Sequence, residues 1–232
     1  MREYILNCEN LTKNYGRTQA LKGINLTLEP GKFIGLLGPN GSGKTTLMKI
    51  AAGVLSPGSG TVQVGGCPVG KASKALVSYL PDTDYLPDQS IRRTIDMFED
   101  FFPDFDRTKA ITMLSVLKLD TAQVPKKLSK GNREKLQLVL AMSRRAKLYL
   151  LDEPIGGIDP AARDYILHMI LENYSEDGSV LLSTHLIGDI ESVLDDAVFL
   201  KEGQILAHRS TEELRETENM SIDAYFREVF KC

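Results

Sequence analysis

Two periods of apolar and polar residues alternate along this chain. Ile5-Leu6-Asn7-Cys8-Glu9 and Ile24-Asn25-Leu26-Thr27-Leu28 change character at nearly every step, as antiparallel strands with one wet face do. Between them, Lys13-Asn14-Tyr15-Gly16 reads as a turn carrying one aromatic ring. Phe33 to Leu37, Lys147 to Leu151 and Val180 to Ser183 are apolar almost throughout, the pattern of parallel strands covered on both faces. Thr61 to Val64 and Leu76 to Leu80 add shorter strands, and Ala197 to Leu200 with Gln204 to Ala207 form a hairpin around Glu202-Gly203. Elsewhere the period is helical. Thr46 to Ala52 is a helix stopped by Gly53. Asp159-Pro160 starts another, N-cap then proline, whose buried stripe is Ala162, Tyr165, Ile166, Met169 and Ile170. From Ile91 to Arg145 the texture is helical throughout: Ala110, Ile111, Leu114 and Leu117 share a face, as do Leu136, Val139 and Leu140. Phe98, Phe101, Phe102 and Phe105 read as the core or hinge of that lobe. Ser221 to Phe230 is an amphipathic helix with Ile222, Tyr225, Phe226 and Val229 on one side. The pattern predicts an α/β protein: a mostly parallel core sheet, an antiparallel β lobe at the N-terminus and an inserted α-helical lobe.

The first strand of that core ends in candidate chemistry. Gly38-Pro39-Asn40-Gly41-Ser42-Gly43-Lys44-Thr45-Thr46 fits G-x-x-x-x-G-K-[ST], the phosphate-binding loop. Glycines permit the backbone angles that turn successive N–H groups inward, and the helix start behind them adds donors and a positive dipole end. Lys44 is placed to reach the terminal phosphates and Thr45 to offer its hydroxyl to Mg²⁺. Strand before and helix after supply the context that the motif requires, so the chain is expected to bind a nucleoside triphosphate.

Asp152 and Glu153 follow four apolar residues in five positions, the Walker B pattern, at the carboxyl end of a parallel strand where open α/β sheets bind ligands. Asp152 is the candidate Mg²⁺ ligand, and Glu153 the candidate to orient or deprotonate an attacking water. His185 lies just past the next strand, within range of a γ-phosphate. His168 and His208 have no such placement and read as structural. Taken alone, Tyr15 reads as a packing residue.

Bulk properties narrow the class. With 28 basic and 31 acidic residues the net charge is −3, which provides no general field for nucleic acid. No apolar run approaches the about 18 residues of a membrane span, and no signal-peptide pattern opens the chain. Cys8, Cys67 and Cys232 lack metal spacing and read as free thiols of a reducing compartment.

Leu128-Ser129-Lys130-Gly131-Asn132, directly before a helix, decides among triphosphate-binding classes. It resembles the LSGGQ signature of ATP-binding-cassette (ABC) ATPases. With the motifs above, in this order, residues 3–208 are similar to one nucleotide-binding subunit of a bacterial ABC transporter of the export type. The resemblance implies a single ABC ATPase domain over 1–232, with a core lobe at about 1–87 and 146–208, a helical lobe at about 88–145 and a C-terminal extension at about 209–232. It implies ATP and Mg²⁺ as cofactors and ATP hydrolysis driving export. Its partners would be separate transmembrane permease subunits and a second nucleotide-binding subunit, identical or not, facing head to tail. No nucleic acid is expected. The place would be the cytoplasm, on the inner face of the membrane through the permease. By resemblance Tyr15 stacks on adenine, Ser129 and Gly131 close over the facing subunit's nucleotide, Asp159 lies in the loop that meets that subunit, and His185 is the switch histidine. Two positions depart from the family. Asp82 stands where the family has Gln; it can bind Mg²⁺ but cannot donate a hydrogen bond to the attacking water. Lys130 stands where the signature has its first glycine, adding a cation that either reaches a phosphate across the interface or points to solvent. The alternative, a non-transport ABC ATPase working on nucleic acid or ribosomes, usually has two cassettes or a long coiled-coil insertion, and neither is present. Guanine-specifying Asn-Lys-x-Asp is also absent.

Overall fold

The computed structural model describes residues 4–230; Cys232 lies outside them. In chain order, β1 (Leu6–Tyr15) and β2 (Thr18–Leu28) form an antiparallel pair about a turn at Gly16-Arg17. Lys13, Asn14 and Tyr15 therefore sit in a strand and not in a turn. Register shifts between Cys8 and Leu11, at Leu11/Thr12 and at Lys13/Asn14 break the visible alternation while the ladder continues. Then come β3 (Phe33–Leu37), α1 (Lys44–Ala51), β4 (Ser59–Val64), β5 (Cys67–Pro68), α2 (Lys71–Lys74) and β6 (Val77–Leu80). The helices α3 (Ile91–Phe101), α4 (Arg107–Val116) and α5 (Lys130–Met142) follow. The chain returns with β7 (Leu148–Asp152), α6 (Pro160–Asn173), β8 (Ser179–Thr184), α7 (Ile187–Ile190), β9 (Asp196–Lys201) and β10 (Gln204–Ser210), and ends in α8 (Thr211–Thr217) and α9 (Ile222–Val229).

Two sheets result. The smaller, in the order β2-β1-β4-β5, is antiparallel. The larger runs β10-β9-β3-β8-β7-β6, with every pair parallel except the β9–β10 hairpin. Its central strands carry apolar residues on both faces because both faces are covered. On β7, Leu148 and Leu150 join the cluster around Leu47 and Met48 of α1, while Tyr149 and Leu151 join the larger cluster formed with α3 to α6 and α9.

Three residues expected in buried faces are not there. Ile111, Tyr165 and Phe101 are 40%, 41% and 74% exposed. On α4 the contact stripe is Ala110, Met113 and Leu114, and Ile111 lies about 100° round the helix from Ala110. On α6, Ile166 and Ile170 face the core and Tyr165 sits at the stripe's edge. Phe98 holds Phe102 and Phe105 at 5.4 and 5.7 Å between ring centroids, and Phe101 points away from that cluster. The C-terminal helix packs as its pattern predicts: Ile222 is buried and Tyr225 meets Phe199 edge-on at 4.9 Å. Glu191 accepts from the Ile222 N–H at its start, at 2.9 Å.

One buried charge ties the helical segment to the sheet. Arg144, 5% exposed, donates from Nε and Nη2 to Asp104 at 2.9–3.1 Å, from Nη1 to the Val77 carbonyl at 2.7 Å, and lies 4.2 Å over the Phe102 ring. Arg144→Ala leaves Asp104 and the β6 carbonyl without their donor. It is expected to lower the unfolding free energy by about 3 kcal/mol, read as a lower urea midpoint at unchanged slope. A loss under about 1 kcal/mol would show that water replaces the guanidinium freely.

Candidate active site

The parallel register brings the expected motifs to one edge. β3 ends at Leu37, opposite Thr184 of β8; Asp152 of β7 stands opposite Ser183; Leu80 of β6 stands opposite Leu151. The segments that follow these strand ends are Gly38–Gly43, His185, Glu153 and Pro81-Asp82. The site is thus built where four carboxyl ends converge.

Between β3 and α1, Pro39, Asn40 and Gly41 form the exposed tip of the loop, and Ser42 is buried beneath it. Gly43 caps α1 with φ of +110°, an angle that a side chain would strain. The first bond of α1 runs from the Leu47 N–H to the Gly43 carbonyl at 2.9 Å, so the N–H groups of Lys44, Thr45 and Thr46 lie at the helix start without helical acceptors. The loop is braced from behind. Ser42 O accepts from the Gly203 N–H at 2.9 Å, and a Cβ on Gly38 would collide with the Leu200 carbonyl oxygen. Both braces come from the β9–β10 hairpin. A Cβ on Gly43 would lie 2.7 Å from the Ala20 carbonyl oxygen, so the start of β2 also rests on the loop. Tyr15 pairs with Thr18 at the tip of that β1–β2 hairpin and is half exposed, with Lys13 Nζ 5.8 Å from its ring centroid.

The charges are tightly disposed. Lys44 Nζ donates to the carbonyls of Gly38 at 2.7 Å and Pro39 at 3.2 Å, and stands 4.0 Å from Glu153 Oε1. Burial lowers its pKa below the usual lysine value, against the pull of Glu153 and Asp152. Glu153 Oε2 meets His185 Nδ1 at 3.0 Å. The Glu153 backbone has φ of +52°, uncommon for a residue with a side chain, and its N–H is held by the Ser183 carbonyl and hydroxyl, both at 3.1 Å. Asp152 Oδ1 accepts from the Ser183 hydroxyl at 2.6 Å, while Oδ2 is buried with no hydrogen-bond partner. Burial raises the pKa of Asp152, opposed by the Ser183 and Thr45 hydroxyls and reinforced by the charges of Asp82 and Glu153. An orphaned carboxylate oxygen beside a threonine hydroxyl fits a hard divalent cation such as Mg²⁺, which takes oxygen ligands and keeps much of its water.

The other expected residues lie around this centre. Asp82 is exposed just past β6, close enough for its charge to act on Asp152 and Tyr79. Ser129 caps α5, accepting from the Asn132 N–H at 3.3 Å, with Gly131 in the first turn and open space where its Cβ would be. The Lys130 side chain is 77% exposed and 3.8 Å from Glu134. The loop carrying Asp159 is supported by Arg163, which donates to the Ile158 carbonyl and to Asp189. His208 has a structural partner in Asp196 at 3.3 Å.

Sequence reasoning missed three contributors. Ser183 looks like the last polar residue of a strand, yet orders both Asp152 and Glu153. Gly203 looks only like a turn residue, yet holds the phosphate loop. Tyr79 is half-buried on β6, with a hydroxyl that is buried and without a partner. Nothing in the sequence singles out Ser183; its part follows from its register opposite Asp152.

Comparison with known proteins gives a consistent picture. The family model described as "ABC transporter" matches residues 21–156. The ABC transporter ATP-binding protein YtrB of Bacillus subtilis is 31% identical, over 91% of this chain and 74% of that protein. The Nod factor export ATP-binding protein I of Burkholderia orbicola is 29% identical, over 92% of this chain and 73% of that protein. A solved ATP-binding subunit of an ABC transporter superposes with a TM-score of 0.88 at 24% identity, covering 98% of this chain and all of that one; it shows the fold.

The orphaned Asp152 oxygen has a measurable cost. The folded pKa lies above the ordinary 3.8, so folding favours the protonated form. Stability therefore declines as pH rises from the ordinary value through the folded one, and the full penalty is present at pH 7. Asp152→Asn is expected to raise the stability of the nucleotide-free protein at pH 7 by about 1 kcal/mol, with a smaller gain at pH 4. It should also abolish the extra stabilisation that Mg²⁺ adds to ATP. Urea titrations at both pH values check this; a variant less stable than the parent at pH 7 would sink it.

Proposed function

The chain belongs to the ABC transporter family, and from that premise we propose that it is the ATP-hydrolysing subunit of a multi-subunit exporter, paired head to tail with a second nucleotide-binding subunit. The observation that carries this reading is the convergence of Lys44, Thr45, Asp152, Glu153 and His185 on one sheet edge, while Ser129 stands exposed and Gly131 half-buried at the start of a different helix. One chain thus presents a nearly complete phosphate site and, elsewhere, a second anion-binding helix start suited to another chain's nucleotide. Tyr15 is assigned to the adenine, Gly38 to Thr46 to the phosphates, and Asp159 to the facing subunit.

The residues have defined tasks. The loop N–H groups and Lys44 bind the β- and γ-phosphates, for which Lys44 exchanges the carbonyls of Gly38 and Pro39. Thr45 and Asp152, with Asp82 as a further carboxylate, would hold Mg²⁺, which would supply positive charge to offset the negative charge of the phosphates. His185 finds a γ-phosphate oxygen and in doing so releases Glu153 Oε2. Glu153 then takes a proton from water as the water oxygen bonds to the γ-phosphorus and the bond to the bridging oxygen breaks, leaving ADP and phosphate. Without the γ-phosphate, a partner's Ser129 has nothing to bind. Hydrolysis is therefore a population shift between closed and open pairs. A permease resting on α3–α5 and the Asp82 segment converts that shift into transport. The printed name of the Nod factor export relative supports the outward direction, and a permease partner places the chain at the inner face of the membrane. The absence, among the described residues, of any helix long and apolar enough to cross a membrane is compatible with that role.

Glu153→Gln keeps the shape and the contact with His185 but removes the base. ATP hydrolysis is expected to fall at least about 100-fold. With Mg²⁺ and ATP the variant should elute as a dimer in size-exclusion chromatography, and with ADP as a monomer. An ATP-loaded variant that stays monomeric at high concentration would rule out pairing between identical chains.

A further inference from the structure

The tasks above leave one buried group of the site unused. The Tyr79 hydroxyl is buried and lacks a hydrogen-bond partner, as Asp152 Oδ2 does. The two belong to one face. β6 and β7 run parallel with Tyr79 opposite Leu150, and Asp152 lies two residues beyond Leu150, so all three side chains leave the sheet on the same side. That side is covered by α1: the Tyr79 ring packs against the cluster of Leu47, Met48, Leu148 and Leu150. The first turn of α1 supplies Thr45. The charges of Asp152 and Asp82 both act on the Tyr79 hydroxyl.

A phenylalanine would fill this place without desolvating a hydroxyl. A buried hydroxyl and a buried carboxylate oxygen on one face, each unpaired and not bonded to one another, call for an intermediary that contacts both. A hydrated divalent cation supplies one. Held by only a few protein oxygens, those of Thr45, Asp152 and Asp82, such an ion would retain several waters, whose hydrogens would be donated to second-layer acceptors.

We propose that Tyr79 is a positioning residue of the cation site, its hydroxyl accepting a hydrogen bond from a water kept by the ion that Thr45 and Asp152 hold. The proposal rests on the reading of this edge as a Mg²⁺-ATP site. It adds that the side chain three residues before Asp82 sets the placement of the ion, and with it the coupling between metal and nucleotide.

Tyr79→Phe removes one oxygen and tests this in the full chain, with Mn²⁺ as the probe and a non-hydrolysable ATP analogue. The quantity read is the factor by which saturating Mn²⁺ tightens analogue binding relative to EDTA. That factor is expected to fall about tenfold in the variant, with analogue affinity in EDTA unchanged. Thermal unfolding in EDTA should be equal or later in the variant, since an unpaired hydroxyl has been removed. An unchanged Mn²⁺ factor, or a variant less stable in EDTA, overturns the role of Tyr79. A parent protein in which Mn²⁺ does not tighten the analogue at all overturns instead the cation-site reading beneath it, and the parent measurement alone reveals that.

Discussion

The site depends on one constraint, the parallel pairing of β3 with β8 and β9. Parallel ladders point all their carboxyl ends the same way, and here Leu37 is level with both Thr184 and Phe199. Asp152 is level with Ser183 one strand further on. A one-residue slip would reverse every side chain and carry Asp152 to the opposite face, away from α1. That slip is opposed by burial on both faces, since Leu148 and Leu150 fill one cluster and Tyr149 and Leu151 the other. Hydrophobic packing that takes no part in the chemistry is therefore what holds the acidic residues to the phosphate loop.

Within that frame the charges are placed at a cost to stability. Lys44 and Asp152 are both buried, and burial disfavours the ionised form of each. Their compensation is partial: Lys44 has two carbonyls and a carboxylate at 4.0 Å, whereas Asp152 has one hydroxyl bond and an empty lone-pair side. Glu153 adds backbone strain at a left-handed φ, held in place by Ser183. An orphaned oxygen, an ammonium resting on carbonyls and a strained acidic residue thus stand together at one strand edge. The same features would be defects in a structural turn. Their concentration at this edge marks it as a candidate functional site.

Much of this was legible in the sequence because it rests on short-range pattern. The phosphate loop is contiguous, the buried strands are uninterrupted apolar runs, and the acidic pair and the histidine follow those runs directly. What escaped depends on partners distant in sequence. Ser183 acquires its meaning only from standing opposite Asp152, and Gly203 only from the fold-back of the β9–β10 hairpin onto Ser42. Tyr79 sits in a short strand covered on both faces, and its sequence gives no sign that its hydroxyl is buried without a partner. The misplaced faces have a related cause. Helical period alone selects Ile111 and Tyr165 as well as Ala110 and Ile166, and only the neighbouring element determines how wide the buried stripe is. The bulges of β1 hid the outer half of a ten-residue strand for the opposite reason, since alternation lapses while hydrogen bonding persists.

The departure at Asp82 takes on a different weight in this setting. The segment after β6 is tied to the signature helix two residues later: Asp84 accepts from Arg133 at 3.0 Å and from Gln137 at 3.4 Å, both on α5. Arg133 in turn donates to the Leu128 carbonyl, immediately before Ser129. From β6, then, one short run of chain faces the cation site through Tyr79 and Asp82 and grips the start of α5 through Asp84. Arg144, near the far end of α5, fastens the same strand to the α3–α4 connection. Strand β6, the neighbour of Asp152's strand, and the segment that follows it are thus bonded near both ends of the helix that Ser129 caps. Position 82 is therefore flanked by two residues with partners of their own: Tyr79 on the face covered by α1 and Asp84 bonded to α5. Asp82 itself stays exposed between them, its charge acting on Asp152 and on the Tyr79 hydroxyl.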